Sequence, residues 1–562
     1  MPFVPNRPRS DLAARGADPN AVHWPMVDEL FDYDAFLARG PIAEIPSGST
    51  GARIAIVGAG AAGMCAAYEL LRAGLRPTVF EASDRIGGRN WSQQFTDGGA
   101  PSGVVAELGA MRVPVENKVF YRYFDQFDLT KAPFPDPGLV PTQLYYENTV
   151  YDWAVGQDPP GPFKAIKDAF IAFTGQVMND VDDAYASGDM VALQKAWQAL
   201  IHRYRNTSFF EAMASGIPSW TTEDLNAFGA LGMGGGGFGP LYGVGFLEML
   251  RLLANQLETD QQLIAEGISS ITAGMYTAPV QQPDGETVSL ESLGCVRPNT
   301  PVTGIALEQG TPTVRFAGGA EQFDAVIVAT TTRAMEFMGL TTPRAGDPSN
   351  VVDGDVKVAI RNLHLMESSK MFIRTETKFW LDANGDPVPG IPQNIQTDEL
   401  PRGIYCLDYP NTTNGVVCIS YTWGDDSAKL LSLSVPQRFA IFKDVVATIN
   451  PQFAKGLVPV GGDDQILNVD WEAENFYNGA FKLNSPGEEP NVHDAFFQYQ
   501  SVRGEGDTGV YLAGDSVSWI GGWTEGALHT GLNAACAAAE RIGGTVQSPS
   551  PLDIDAATYN YG

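Results

Sequence analysis

Short, nearly continuous apolar runs bounded by turn residues are the first pattern along the chain. One such run, Arg53–Val57, follows a linker rich in proline, glycine, serine and threonine at Pro46–Gly51. Strands that are buried on both faces have this kind of sequence. The pattern predicts a buried strand at Arg53–Val57 and further strands at Pro77–Phe80, Val314–Phe316, Phe323–Thr330, Lys370–Arg374, Val416–Tyr421 and Val510–Ala513.

Helical segments lie before, between and after these strands. Residues 160–260 are largely helical in character, as in Val191–Leu200, where apolar residues recur at helical spacing. Further helices are predicted at Asp28–Ala38, Met64–Arg72 and Gly526–Ile542.

A glycine motif follows the first predicted strand directly. Gly58, Gly60 and Gly63 fit the spacing G-x-G-x-x-G and open the helix Met64–Arg72. The first glycine permits a tight turn, the second lets backbone approach a pyrophosphate, and the third allows close packing of helix on strand. Glu81 ends the next strand, where a carboxylate can accept hydrogen bonds from a ribose diol. Strand, glycines, helix, strand and acid in this order predict a Rossmann-like α/β fold that binds a dinucleotide.

Two further segments add binding features to this motif. Arg85–Arg89 places glycines beside an arginine. The glycine backbone can approach a second phosphate closely, and the arginine supplies a positive charge for it. Near the C-terminus, Tyr511–Asp515 is followed by Gly521–Ala527, which leads into the last predicted helix. The N-terminus of that helix is a second docking point for an anionic or electron-rich group. Because a C-terminal segment returns to the nucleotide site, the cofactor domain is expected to be discontinuous in sequence.

The charge of the chain excludes several classes of partner. With 36 basic and 66 acidic residues the net charge is −30, which opposes binding to nucleic acid or to an anionic membrane surface. The uncharged stretch Ile54–Tyr68 is too short for a transmembrane helix, and Leu225–Leu247 contains too many glycines. The proline-rich N-terminus lacks the apolar stretch of a signal peptide. We therefore expect a soluble, cytoplasmic protein.

The spacing of cysteines and histidines does not suggest a metal site. The five cysteines are widely spaced without a C-x-x-C pair, and the five histidines show no H-E-x-x-H pattern. These spacings argue against a zinc site and against a disulfide scaffold, and they suit a reducing compartment. We expect no metal.

A second glycine run, Gly234–Gly239, also fits G-x-G-x-x-G. It follows no apolar strand, Pro240 comes directly after it, and no acidic residue closes a following strand. We interpret the run as a flexible wall of the active site rather than a second dinucleotide site, and we expect no external reductant.

Several sequence blocks, spread over nearly the whole chain past residue 40, carry a family resemblance. They are Glu107–Arg112, Pro133–Gly138, Gly234–Phe238, Ser368–Phe372, Lys378–Trp380, Arg402–Tyr409, Ser420–Trp423, Asp470–Trp471 and Gly479–Asn484. These blocks resemble the flavin-containing amine oxidase superfamily and, within it, the bacterial tryptophan 2-monooxygenases and their amino-acid oxidase relatives.

The resemblance implies a Rossmann-like (GR2-type) FAD-binding domain, a mixed-sheet substrate domain and a helical insertion. After an N-terminal arm and linker at 1–50, the FAD-binding domain is expected to comprise 51–115, 260–335 and 465–562. The largely helical insertion is expected at 116–259, and the sheet-containing substrate-binding domain at 336–464.

The cofactor that the resemblance implies is FAD. We expect it to bind without a covalent link, because residues 511–527 contain no cysteine. The residues expected to contact FAD are Gly58, Gly60, Ala62, Gly63, Glu81, Ala82, Gly88, Arg89, Ala110, Met111, Arg112, Val302, Gly514, Asp515, Trp523, Thr524 and Ala527.

Five residues are expected to contact the substrate. Arg112 lies in a small, apolar stretch, and its fork-shaped guanidinium suits the carboxylate of a free amino acid. The family has an aromatic residue lining the substrate cavity at the positions of Tyr421 and Trp471, and we place Trp523 and Phe238 beside them.

Lys370 is the expected catalytic residue. Its sequence context alone favours an ordinary surface lysine. In the family, the matching lysine orients a water molecule beside the flavin, and we adopt that role for Lys370 by resemblance only.

The expected reaction is the oxidative decarboxylation of an aromatic L-amino acid, most of all L-tryptophan, which with O2 gives indole-3-acetamide, CO2 and water. The alternative is an L-amino-acid oxidase that gives 2-keto acid, ammonia and H2O2, because the two reactions differ in whether the imino acid is retained. A non-enzymatic flavoprotein is disfavoured, since a structural flavin needs neither Arg112 nor Lys370. We expect the substrate and O2 as small-molecule partners and a homodimer as the assembly.

Overall fold

The computed structural model describes residues 25–231, 237–258, 260–282, 285–342, 351–559 and 561. Within these residues, each helix is too short or too polar to cross a membrane. The α-helices are α1 (Tyr33–Ala38), α2 (Ala61–Arg72), α3 (Lys118–Gln126), α4 (Phe163–Ser187), α5 (Met190–Tyr204), α6 (Phe209–Gly216), α7 (Thr222–Ala230), α8 (Phe246–Ala254), α9 (Ser269–Thr277), α10 (Thr332–Phe337), α11 (Gly354–Asn362), α12 (Asp425–Ala428), α13 (Val435–Ile449), α14 (Pro451–Gly456), α15 (Glu489–Phe496) and α16 (Thr524–Arg541).

The β-strands fall into several sheets. They are β1 (Ala43–Glu44), β2 (Ile54–Val57), β3 (Thr78–Phe80), β4 (Ser92–Asp97), β5 (Ala100–Glu107), β6 (Val113–Pro114), β7 (Lys131–Pro133), β8 (Thr142–Tyr146), β9 (Thr149–Trp153), β10 (Gln261–Ile264), β11 (Val280–Gln281), β12 (Thr287–Val288), β13 (Val296–Arg297), β14 (Val302–Glu308), β15 (Thr311–Phe316), β16 (Gly319–Gln322), β17 (Ala325–Val328), β18 (Leu365–Met366), β19 (Ser368–Thr375), β20 (Asn394–Thr397), β21 (Gly403–Leu407), β22 (Gly415–Trp423), β23 (Leu467–Asp470), β24 (Phe481–Lys482), β25 (Val510–Leu512) and β26 (Thr545–Val546).

A parallel sheet in the order β13–β3–β2–β17–β25 confirms the predicted α/β class. The strands β2, β17 and β25 are buried along their whole length, which is why their sequences are continuously apolar. The carboxyl ends of parallel strands lie at one edge of a sheet. The loops that follow β2, β3, β17 and β25 therefore converge there, at the place where α/β sheets bind ligands.

A seven-stranded sheet in the order β23–β19–β22–β21–β20–β8–β9 forms the second large layer. Its neighbours are antiparallel except for the parallel pair β20 and β8. Every residue of β19 and β22 is buried. Their register places Lys370 directly opposite Tyr421, so the sheet brings together two residues that are distant in sequence.

The long helix α16 packs against α2, the helix that follows the glycine motif. Gly531 lies at this contact, where an added Cβ atom would come within 2.5 Å of the Ala62 carbonyl oxygen. The absence of a side chain at this position therefore lets the two helices approach closely. Through this contact the C-terminal segment is held over the start of the Rossmann-like unit.

Several predicted elements differ from the structure in extent, two of them substantially. The first helix begins at Tyr33 rather than near Asp28, because the Asp32 side chain accepts a hydrogen bond from the Ala35 N–H and caps the helix there. The segment 116–259, predicted to be a largely helical insertion, also supplies β8 and β9 to the seven-stranded sheet. The division of the chain into domains stays a prediction.

Candidate functional site

A cavity of about 500 Å³ opens at the carboxyl edge of the parallel sheet and extends to β19 and β22 of the second sheet. This volume lies within the range of about 300–1,000 Å³ that small-molecule sites occupy. The predicted site residues that line it are Gly58, Gly60, Ala62, Glu81, Ala82, Gly88, Arg89, Ala110, Met111, Arg112, Val302, Lys370, Tyr421, Trp471, Gly514, Asp515, Trp523, Thr524 and Ala527. Gly63 and Phe238 are absent from the lining.

The glycine motif forms the turn that the sequence predicted. Gly58 has φ of +102°, and a Cβ atom there would lie 2.6 Å from the Ala329 carbonyl oxygen. Gly63 lies behind the cavity wall, where a Cβ atom would be 2.0 Å from the Gly58 carbonyl oxygen. Gly60 faces the cavity and precedes α2, whose N-terminus has no side-chain cap. The free N–H groups of this helix start therefore suit an anion.

Glu81 is buried at the end of β3, beside the turn. Its carboxylate accepts hydrogen bonds from the Ala59 N–H at 2.7 Å and from the Ser83 N–H and hydroxyl at 2.8 and 2.7 Å. These bonds hold the carboxylate in one orientation at the cavity wall. A carboxylate has further lone pairs, so it can also accept from the hydroxyls of a bound nucleotide.

Arg89 and Asp515 form an ion pair across the cavity, joining the segment after β3 to the C-terminal segment. The Arg89 Nη2 and Asp515 Oδ1 atoms are 2.5 Å apart, and Nη1 also donates to the Ala480 carbonyl oxygen at 2.7 Å. The pair therefore links parts of the chain that lie far apart in sequence.

The N-terminus of α16 is the second helix start at the cavity, and it has no side-chain cap either. The Thr524 hydroxyl donates to the Asn90 Oδ1 atom at 3.0 Å, whereas the buried Asn90 Nδ2 group has no partner in the described residues. Asn117 also lines the cavity, and its buried Oδ1 atom has no partner within the part of the chain that the structure describes. Since buried polar groups normally have partners, these two side chains indicate a polar ligand here.

Lys370 is buried rather than on the surface, with an exposed fraction of 3%. Its ammonium donates to the carbonyl oxygens of Gly109 at 2.5 Å and Glu107 at 3.3 Å, and it lies 4.5 Å from the centre of the Tyr421 ring. Burial lowers the pKa of Lys370 to about 8, because the charged form loses its hydration. The side chain is therefore able to change its protonation state near neutral pH.

Glu107 lies behind Lys370 and is also buried. It accepts hydrogen bonds from the Ile268 N–H at 2.9 Å and the Ser92 hydroxyl at 2.8 Å. Burial raises the pKa of Glu107 to about 7, although both hydrogen bonds and the charge of Lys370 act in the opposite direction.

Arg112 is the second cation of the cavity, and its side chain is only 8% exposed. Its Nη1 group donates to the Gln261 Oε1 atom at 3.0 Å and lies 4.0 Å from the Glu258 carboxylate, and its guanidinium lies 5.7 Å from the centre of the Phe134 ring. Sequence reasoning missed Glu258 and Gln261. They lie far along the chain from Arg112, in a segment with no recognisable motif, so no local signal marks them.

Aromatic side chains form the wall next to the two cations. The Trp471 indole donates to the Leu108 carbonyl oxygen at 3.0 Å, which fixes its ring. The Tyr421 and Trp423 rings lie edge to face, with centroids 5.7 Å apart, and both line the cavity. Trp423 is an additional member that the sequence placed in a matched block but not in the site.

Phe238 does not join this wall. Its buried ring stacks on Phe228, with centroids 4.2 Å apart, inside an aromatic cluster of the helical segment. In the adjacent glycine run, Gly234–Gly236 lie outside the described residues. Gly237 is described, and a Cβ atom there would be 2.5 Å from the Gly229 carbonyl oxygen. The structure thus places Phe238 and Gly237 in helix packing rather than at the cavity.

The cavity combines two kinds of binding environment. One end has glycine backbone and the uncapped N-terminus of α2, which suit the phosphates of a dinucleotide. The other end has two buried cations beside flat aromatic surfaces, which suit a small molecule with a carboxylate and an apolar ring.

Comparison with known proteins identifies the family to which the chain belongs. Residues 61–539 match the family model described as flavin containing amine oxidoreductase. The chain is 38% identical to the tryptophan 2-monooxygenase of Pseudomonas savastanoi, with 96% of this chain and 99% of the relative covered. It is 37% identical to that of Pantoea agglomerans pv. gypsophilae, with 96% and 98% covered.

Solved structures with the same fold are more distant in sequence. Putrescine oxidase bound to putrescine matches with a TM-score of 0.63 and 18% identity, covering 86% of this chain and 98% of that chain. This likeness supports the fold.

Proposed function

The chain belongs to the family of flavin-containing amine oxidoreductases, and on that premise we propose that it is an FAD-dependent tryptophan 2-monooxygenase. The reaction converts L-tryptophan and O2 to indole-3-acetamide, CO2 and water. The substrate assignment is supported by relatives of that name that match nearly the whole chain. One observation at the site supports the proposed function most strongly. The cavity that contains the glycine motif also has the side chains of Arg112 and Lys370, both largely shielded from solvent, on its wall.

We propose that the cofactor of this cavity is FAD, bound without a covalent link. The turn at Gly58 and the uncapped start of α2 would hold the phosphates, and Glu81 would accept from the ribose. The uncapped start of α16 would face the flavin end. The unpartnered Asn90 Nδ2 group at the start of α16 would donate to the flavin end. Bound FAD supplies the redox chemistry, because flavins accept a hydride and then react with O2.

Arg112 would bind and orient the substrate carboxylate, since its fork of N–H donors can pair with both oxygens. Tyr421, Trp423 and Trp471 would pack against the indole ring, where aromatic pairs add about 0.5–1.5 kcal/mol beyond the burial of area. Holding the substrate in one geometry is the main contribution that such residues make to the rate. The three aromatic residues would also shield the reacting carbon atom from water.

Lys370 would hold a water molecule at the reacting end of the cavity. Two of its three N–H donors are directed to backbone carbonyl oxygens, which fixes the ammonium while one donor is left for that water. Its lowered pKa, about 8, would let Lys370 exchange a proton during turnover.

An anaerobic screen of the twenty amino acids tests this proposal directly. L-tryptophan should bleach the flavin absorbance faster, at equal concentration, than phenylalanine, methionine, lysine or arginine. A faster reaction with lysine or arginine would contradict the substrate assignment. The second candidate function is that of an L-amino-acid oxidase. It would use the same cavity and the same first step, the reduction of the flavin by the amino acid. It is distinguished by its products, which are 2-keto acid, ammonia and H2O2.

We further propose that the FAD-binding, helical and substrate-binding domains follow the division predicted from the sequence, with β8 and β9 of the helical segment completing the substrate-binding sheet.

We also propose that the protein is a cytoplasmic homodimer. All five cysteines are unpaired in the structure, which supports a reducing compartment. Light scattering coupled to size exclusion should give twice the chain mass of 60.3 kDa. A monomer mass at micromolar concentration would contradict the dimer.

A further inference from the structure

A buried carboxylate, Glu258, lies beside Arg112 at the cavity wall. The Arg112 Nη1 and Glu258 Oε2 atoms are 4.0 Å apart, and the two side chains are 8% and 2% exposed. Gln261 connects them, because its Nε2 group donates to Glu258 at 2.9 Å and its Oε1 atom accepts from Arg112 at 3.0 Å. One amide thus holds both charged groups in place.

The charges that face Glu258 come from several elements. Arg112 attracts its ionised form, whereas Asp136, from the loop after β7, repels it. Tyr421 on β22 also faces Glu258. On the other side of Arg112, Lys370 repels the guanidinium and is paired electrostatically with Glu107. Glu258 and Asp136 therefore share the charge of one guanidinium before any ligand binds.

A bound substrate carboxylate would add a third negative charge to this group. Like charges in a buried site disfavour ionisation, and one of the carboxylates then binds a proton. Burial already raises the pKa of Glu258 to about 7, against the attraction of Arg112. Glu258 is therefore the group that most readily takes up a proton when a ligand carboxylate occupies Arg112.

We propose that Glu258 couples substrate binding to the uptake of one proton and so controls the affinity of Arg112 for the substrate carboxylate. In this step the ionised Glu258 takes a proton from solvent and becomes a carboxylic acid, and no bond of the substrate changes. Glu258 is a positioning residue, since it acts through Arg112. The inference rests on the proposed function, because it requires that Arg112 bind a carboxylate.

The coupling gives a definite pH dependence. Below the pKa of free Glu258 the side chain is already protonated, and the dissociation constant Kd is flat. Above it, binding must add a proton, and Kd rises by up to tenfold per pH unit. With a pKa of about 7, Kd should rise about fourfold between pH 6.0 and pH 7.5. This window lies below the pKa of Lys370, about 8.

The test uses the FAD-loaded protein and indole-3-propionate, a carboxylate that lacks the α-amine and is not oxidised. Its Kd is measured from the shift of flavin absorbance at pH 6.0 and 7.5. In Glu258→Gln, an uncharged and nearly isosteric variant, Kd should change less than about 1.5-fold. The matched control Glu211→Gln removes an exposed carboxylate of α6 outside the cavity lining and should keep the fourfold change.

Calorimetry in buffers of different ionisation enthalpy counts the protons directly. The unsubstituted protein should take up about 0.8 proton per ligand at pH 7.5 and Glu258→Gln about none. The count in the unsubstituted protein decides the question even if the variant does not fold. Binding without proton uptake would overturn the inference. A Glu258→Gln variant that keeps the fourfold change in Kd would also overturn it, because another group such as Glu107 would then be the one that takes up the proton.

The Arg112→Met variant separates this inference from the function on which it rests. If indole-3-propionate binds that variant as tightly as the unsubstituted protein, the carboxylate site assigned under the proposed function is wrong. If binding requires Arg112 and shows no dependence on pH, the proposed function stands and only the role of Glu258 is refuted.

Discussion

Replacing Arg112 with lysine should weaken substrate binding while FAD stays in place. Lysine keeps the positive charge but loses the fork of donors that can pair with both carboxylate oxygens. It also cannot keep the Nη1 bond to Gln261 while it reaches the ligand. A charge-assisted hydrogen bond contributes about 1.5–3 kcal/mol. At about 1.4 kcal/mol per tenfold change, the substrate Kd should rise about 10- to 150-fold.

Anaerobic stopped-flow mixing with L-tryptophan measures this change. The substrate concentration that gives half the maximal rate of flavin reduction should rise, and the ratio of flavin to protein absorbance should not change. Arg122→Lys is a matched control, because Arg122 pairs with Asp34 away from the cavity. If Arg112→Lys reduces its flavin at low substrate as fast as the unsubstituted protein, Arg112 does not bind the carboxylate.

Three other predictions concern Lys370, the cofactor link and helix packing. Lys370→Met should slow flavin reoxidation by O2 about 10²-fold and change anaerobic flavin reduction by tryptophan much less. If reoxidation is unchanged, Lys370 has only a structural role. In the unsubstituted protein, reoxidation should slow as the pH rises through about 8, where Lys370 loses its proton, and the methionine variant should lack this dependence. Acid precipitation should release free FAD into the supernatant, and flavin that stays with the precipitate would refute non-covalent binding. Gly531→Ala should destabilise the fold by about 1–3 kcal/mol, because the added Cβ atom meets the Ala62 backbone. The control Gly175→Ala in α4, where the added Cβ atom has open space around it, should be neutral or stabilising. Equal melting temperatures of the two variants would contradict the packing argument.

The part of the site that sequence reasoning predicted best is local. The turn at Gly58 needs positive φ, and the motif of strand, glycines and helix that contains it is continuous in sequence. Its backbone geometry therefore follows from neighbouring residues alone. The same holds for the buried strands β2, β17 and β25, whose apolar runs reflect burial on both faces.

Features that depend on distant contacts could not be predicted in this way. The burial of Lys370 follows from the pairing of β19 with β22 and β23, which no local pattern records. Glu258 and Gln261 reach Arg112 only after α8 and β10 have packed beside it. Phe238 is the opposite case, a residue that the sequence suggested for the site but that does not line the cavity. Its ring is held by stacking on Phe228 in the helical segment.

Turnover of L-tryptophan under ¹⁸O₂ tests the central claim most directly. A monooxygenase inserts one oxygen atom of O2 into its product, so the protein should form indole-3-acetamide with one ¹⁸O atom per molecule and an equal amount of CO2. If the products are only 2-keto acid, ammonia and H2O2, the protein is an amino-acid oxidase and the account of its reaction is wrong.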